Sequence, residues 1–151
     1  MHTFLISPAG NHAGLTSASV GIVHALDRLG MRVGFFKPIS QSYDEDHSDL
    51  SSEYVQAISS IQPPDPIPME MAREWIVTGR PNDLLEEIVS RYAEAAREAD
   101  VIIVEGLQAS SQHAYLNALN PKIARALNAD VILVSSCNAM DASQLNQHLE
   151  T

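Results

Sequence analysis

Apolar residues crowd into four short runs, Thr3–Ser7, Met31–Lys37, Asp100–Glu105 and Asp130–Ser135, each nearly continuous in Val, Ile, Leu or Phe. Continuous patterning, in place of strict alternation, predicts strands covered on both faces, as in a parallel sheet. Between the runs the apolar spacing becomes helical. Leu15, Ile22, Leu26 and Leu29 predict a helix that Gly30 stops. Leu50, Tyr54, Val55 and Ile58 predict a second over roughly Asp49–Ser60. The proline-rich stretch from Ile61 to Pro68 cannot continue a helix and reads as a surface connection. Met71, Trp75 and Ile76 share one side of a short helix ending at Gly79, and both Met71 and Trp75 are expected in the core.

The strongest helical signal covers Asp83–Ala99. Asp83 and Glu86 form a capping-box pattern, and Leu85, Ile88, Val89, Tyr92 and Ala96 form the apolar stripe. Further helical segments are expected around Ser111–Leu119, after Asn120-Pro121 as cap and first-turn proline, and over Asp141–Thr151. The order of elements predicts an α/β fold, a mostly parallel sheet flanked by helices. Sheets of this kind commonly have about five or six strands, so the four runs are expected to form an incomplete sheet.

Composition narrows the partners. With 9 Lys+Arg against 19 Asp+Glu in 151 residues, the formal charge is −10. No basic run exists, and Lys37 and Lys122 are the only lysines. That balance argues against nucleic acid or an anionic membrane as the main partner. No apolar run approaches the ~20 residues a bilayer crossing needs, and no signal-peptide pattern opens the sequence. The single cysteine, Cys137, has no internal partner and reads as an inert thiol in a reducing, cytoplasmic setting.

The chemistry concentrates after the first run. The stretch Ser7-Pro8-Ala9-Gly10-Asn11-His12-Ala13-Gly14-Leu15-Thr16-Ser17 joins a strand to a helix, the context of a phosphate-binding loop. Gly10 and Gly14 can turn backbone N–H groups toward an anion, aided by the helix dipole. They serve a plain tight turn equally well, and the motif alone leaves both readings open. Thr16 stands where such loops place a hydroxyl on Mg²⁺. Leu15 stands where the loop lysine belongs, and a leucine cannot neutralise phosphate charge during transfer. Losing such a stabiliser costs roughly 10²–10³ in rate, on the scale of a single oxyanion-hole donor.

Two acids can complete a metal site. Glu105 ends the third run at the sheet edge where ligands bind in open α/β folds. Asp49 opens the second helix. Together with Thr16 they form a hard-oxygen set suited to Mg²⁺. Taken singly, each has a plainer reading: Asp49 as a helix cap and Glu105 as a solvated strand end. Lys37 closes the second run on the same edge, where it can hold an anion or reach out to water. His2, His24, His47, His113 and His148 share no ligand spacing, and Asp44-Glu45-Asp46 reads as a solvated loop.

The glycine stretch, with Phe36-Lys37-Pro38-Ile39 and Val104-Glu105-Gly106-Leu107, resembles the amino-terminal domain of the long, multidomain bacterial phosphate acetyltransferases. Ala118-Leu119-Asn120 and the stretch from Ile123 to Ala129 add to the likeness, which covers essentially the whole chain. That domain is similar in fold to dethiobiotin synthetase, a P-loop enzyme. The resemblance therefore implies a P-loop NTPase-like fold and a nucleotide cofactor, with Mg²⁺, at a degraded P-loop formed by Gly10, Asn11, His12, Ala13, Gly14, Leu15, Thr16, Ser17 and Lys37. It also implies Thr16, Asp49 and Glu105 as metal ligands and no catalytic residue in this chain. It implies an assembly and metabolite-control role, with a small-molecule effector and a homo-oligomeric parent. CoA and phosphate would be handled by a separate carboxyl-terminal domain absent from these residues. Two other readings stand beside this one: an active Mg-ATP-dependent P-loop ligase with Lys37 replacing the loop lysine, and a purely structural assembly domain.

Overall fold

The computed structural model describes residues 1–10, 13–41, 49–108 and 114–136. Asn11, His12, His47, the acidic stretch Asp44-Glu45-Asp46, His113, Cys137, His148 and the helix expected over Asp141–Thr151 lie outside the described residues.

Along the chain run strand β1 (His2–Pro8), helix α1 (Leu15–Arg28), β2 (Val33–Phe36), α2 (Leu50–Ile58), α3 (Met69–Val77), α4 (Pro81–Ala95) and β3 (Val101–Glu105). A 3₁₀ turn (Ala114–Ala118), α5 (Leu119–Ala126) and β4 (Asp130–Val134) follow. The sheet has the order β2-β3-β1-β4, and every pairing is parallel. The α/β expectation with a parallel sheet flanked by helices therefore holds.

Strand periodicity sorts the apolar runs onto two faces. Leu5, Phe36, Ile102 and Val104 point to a core closed by Leu84 and Ile88 of α4 and Ile123 of α5. Ile6, Val33, Phe35, Val101 and Ile103 point the other way, onto Leu15 and Val23 of α1 and Val55 of α2. Both faces are covered, which is why the runs are continuous in the sequence.

Several local expectations need correction. Run four was expected to be covered on both faces, but Val131, Ile132 and Leu133 are 50%, 38% and 52% exposed. Among the described residues, β4 is an edge strand paired only with β1. Met71 is 41% exposed, and Ala72 is the buried residue of α3. The proline-rich connection is not all surface: Ile67 is fully buried and bridges Ile39, with Ser40 N–H donating to the Ile67 carbonyl. Helix α4 begins at Pro81, whose fixed φ suits a first helical position, so Asp83 lies within the first turn and pairs with Arg80. Asn120 does not cap α5, because its amide is spent on both backbone groups of Leu107, each at 2.8 Å.

Candidate functional site

Parallel strands bring all their carboxyl ends to one edge, so the segments after β1, β2 and β3 meet there. β3 lies between β2 and β1, which puts Glu105 between Lys37 on one side and the glycine loop on the other. The close approach beside it requires glycine: a Cβ on Gly106 would stand 2.6 Å from the Ile6 carbonyl oxygen, to which Gly106 N–H donates at 2.8 Å. Asn120 clamps Leu107, the next residue. Glu105 is thereby held on a fixed backbone.

Asp49 joins the edge as the N-cap of α2, its Oδ1 accepting from Ser51 N–H at 3.1 Å and Ser52 N–H at 3.2 Å. The cap reading is true of this residue, and the cap leaves its second oxygen for the cluster at the edge. Its second oxygen, Oδ2, faces Lys37 Nζ at 3.0 Å. The same ammonium lies 3.1 Å from Glu105 Oε1 and donates to Ser51 Oγ at 3.2 Å. Ser51 Oγ donates to Glu105 Oε1 at 2.8 Å. Thr16 Oγ1 donates to that oxygen at 3.2 Å and lies at the same distance from Ser51 Oγ.

The cluster is dry: Lys37 is 7% exposed, Asp49 3% and Glu105 1%. Burial by itself pulls the Lys37 ammonium's pKa down. The charges of Glu105 and Asp49, with their hydrogen bonds, overcome that, and the pKa stands above the ordinary lysine value. Lys37 does not reach out to water, and Glu105 is not a solvated strand end. Glu105 Oε2 is buried without a hydrogen-bond partner among the described residues.

The glycine loop borders this cluster. Gly10 and Gly14 adopt φ of 134° and 73°, and Gly14 is the N-cap of α1, with no side-chain cap on that helix. Thr16 is half-buried and Ser17 exposed, while Ala13 is buried. Leu15 is 6% exposed and packs with Ile6 and Val23, so it can present only backbone to a ligand. Three participants carried no sequence signal. Ser51 is a serine on a helical first turn like many others. Gln41 and Gln108 pair reciprocally, Nε2 of Gln41 to the Gln108 carbonyl at 2.7 Å and Gln108 N–H to Gln41 Oε1 at 2.9 Å. Gln108 also donates to the Gly10 carbonyl at 3.1 Å, tying β3's exit to the loop. Only spatial neighbourhood identifies them.

A divalent cation suits the donor set: hydroxyls of Thr16 and Ser51 and carboxylates of Asp49 and Glu105 are hard oxygens, and among the described residues two buried carboxylate oxygens, Asp49 Oδ2 and Glu105 Oε2, accept no hydrogen bond. Among the described residues no group of three His, Cys, Asp or Glu is placed to hold a metal, so a cation here would need the hydroxyls as well. Among the described residues, no helix is long and apolar enough to cross a membrane.

The AAA domain family matches residues 2–150. Phosphate acetyltransferase of Pseudomonas aeruginosa is 40% identical over 151 residues, covering 99% of this chain and 21% of that protein. The enzymes of Deinococcus radiodurans and Escherichia coli are 38% and 34% identical over 99% and 97% of the chain, and again 21% of their own length is matched. The chain thus spans about a fifth of the curated relatives it matches. Strand, glycine turn, helix and strand-end acid all agree with that match, and the chain belongs to the AAA domain family, in the form found within the long bacterial phosphate acetyltransferases.

Proposed function

We propose that this chain is a regulatory and assembly domain of a cytoplasmic, homo-oligomeric phosphate acetyltransferase and is not itself catalytic. The parent reaction converts acetyl-CoA and phosphate to acetyl phosphate and CoA, on residues outside this chain. One observation carries the reading. The loop position that needs an ammonium holds Leu15, buried in the core, and Lys37, the cation beside the loop, is bound by two acids and a serine. Gly10 and Gly14 hold positive φ, and among the described residues no side chain caps the α1 N-terminus, which suits binding the phosphate groups of a nucleotide effector. When bound there, Mg²⁺ would supply charge neutralisation, held by Thr16, Asp49 and Glu105. Effector binding would act by favouring one assembly state over another.

Three measurements on the purified chain test this. It should form no acetyl phosphate from acetyl-CoA and phosphate, and it should hydrolyse no ATP, while ATP or pyrophosphate raises its melting temperature. Acetyl phosphate formation by these residues alone refutes the non-catalytic assignment. The position of Lys37 in the Thr16–Glu105 cluster favours a second reading, an active Mg-ATP-dependent ligase, and steady ATP turnover would establish it instead. Unchanged melting with both ligands would leave a purely structural domain.

A further inference from the structure

The buried cluster holds one ammonium against two carboxylates, and the ammonium lies between them. Three oxygens surround its Nζ: Asp49 Oδ2 at 3.0 Å and Glu105 Oε1 at 3.1 Å as ion pairs, and Ser51 Oγ at 3.2 Å as a hydrogen-bond acceptor. Two of these oxygens, on Asp49 and Glu105, belong to the residues that would hold a divalent cation. A cation placed on them would stand within a few ångströms of Nζ, and two positive centres on shared oxygens repel strongly in a dry site. With Lys37 in place, the three charged groups still sum to a formal charge of −1, and among the described residues Asp49 Oδ2 and Glu105 Oε2 are buried without a hydrogen-bond donor. Burying such an oxygen unpaired is costly. The acid pair is therefore satisfied incompletely by its lysine, and a doubly charged ion would satisfy it better.

We infer that Lys37 is an internal counter-cation that competes with a divalent metal ion for Asp49 and Glu105, so that metal entry releases the ammonium from the acid pair. Lysine suits the task, since its compact charge sits on a flexible four-carbon stem. The consequence deepens the proposed function and rests on it. A chain that lacks the loop lysine keeps its one nearby ammonium locked until a metal arrives. Metal binding then makes that charge available to an anion on the loop. Nucleotide and metal would bind as a cooperative pair, each improving the site for the other.

The two lysines make the test clean, because Lys37 is buried and Lys122 is exposed on α5. Acetic anhydride labelling of the unmodified chain, read by mass spectrometry, should be slow at Lys37 and fast at Lys122. Excess Mg²⁺ should raise the Lys37 rate severalfold and leave that of Lys122 unchanged. A Lys37 rate unchanged or lowered by Mg²⁺ overturns the inference. As a second test, Lys37→Met should bind Mn²⁺ at least about tenfold more tightly than the unmodified chain, by paramagnetic resonance without nucleotide. Equal or weaker binding in a folded variant overturns it as well. Pyrophosphate titration of the amide signals of Gly14 and Thr16 reads the loop separately. Its failure would remove the anion-binding part of the proposed function and leave the lysine–metal competition to be decided by labelling.

Discussion

Strands β2 and β3 carry a cation and an acid at each end, and the two ends behave differently. At the amino end, Arg32 and Asp100 form a two-pronged pair at 2.9 and 2.7 Å with side chains 70% and 52% exposed. At the carboxyl end, Lys37, Asp49 and Glu105 form a pair-and-a-half that is almost wholly buried. The geometry of the exposed pair is the better of the two, yet water and salt screen it, so it contributes little. The buried cluster has one charge too many, and nothing screens it. Good geometry at a surface thus marks a local tether, whereas an unbalanced charge in a dry place marks a site able to receive something.

The largest expected effect tests that contrast directly. Lys37→Met leaves two buried carboxylates without their counter-charge and should lower stability by about 3–5 kcal/mol in urea unfolding. Arg32→Ala should move the same transition only slightly, and that small shift should vanish in high salt. Comparable losses at the two ends would break the comparison. Next, Gly106→Ala drives a methyl group against the Ile6 carbonyl and should cost about 1–3 kcal/mol, moving Glu105 as the backbone yields. An unaltered melting curve for this variant would show that the Glu105 backbone is not held as described.

The pH response gives the smallest effect and the sharpest sign. Lys37 has its pKa raised on folding, so its contribution is complete below the ordinary lysine range and is lost as pH rises through the raised value. Asp100 has its pKa lowered, by the Arg32 hydrogen bond first, so its contribution is present above the ordinary aspartate range and is lost as pH falls. Alkaline titration should therefore weaken the chain in a step that Lys37→Met abolishes. The acid-side effect of Asp100→Asn should be minor and salt-sensitive.

The sequence by itself determined the class of fold and named most of the charged residues that meet at the sheet edge. Four continuous apolar runs separated by helical spacing require a buried parallel sheet, because polar interruptions would be stranded on a covered face. Parallel strands then deliver Lys37 and Glu105 to one edge, at or just past a strand's carboxyl end, and Thr16 follows on the first turn of α1. The exposure of β4 was not legible, because a run of Val, Ile and Leu reads alike at the centre and the rim of a sheet. Nor was the role of Asn120, whose amide serves a residue thirteen positions away instead of its own helix. Above all, only the tertiary structure decided that Lys37 sits between Asp49 and Glu105, with the Ser51 hydroxyl bonded to both Lys37 and Glu105. Charge and spacing along a chain state which groups can reach an edge. Which oxygen each one faces depends on strand order, on a glycine that lets two strands close, and on the water that packing removes.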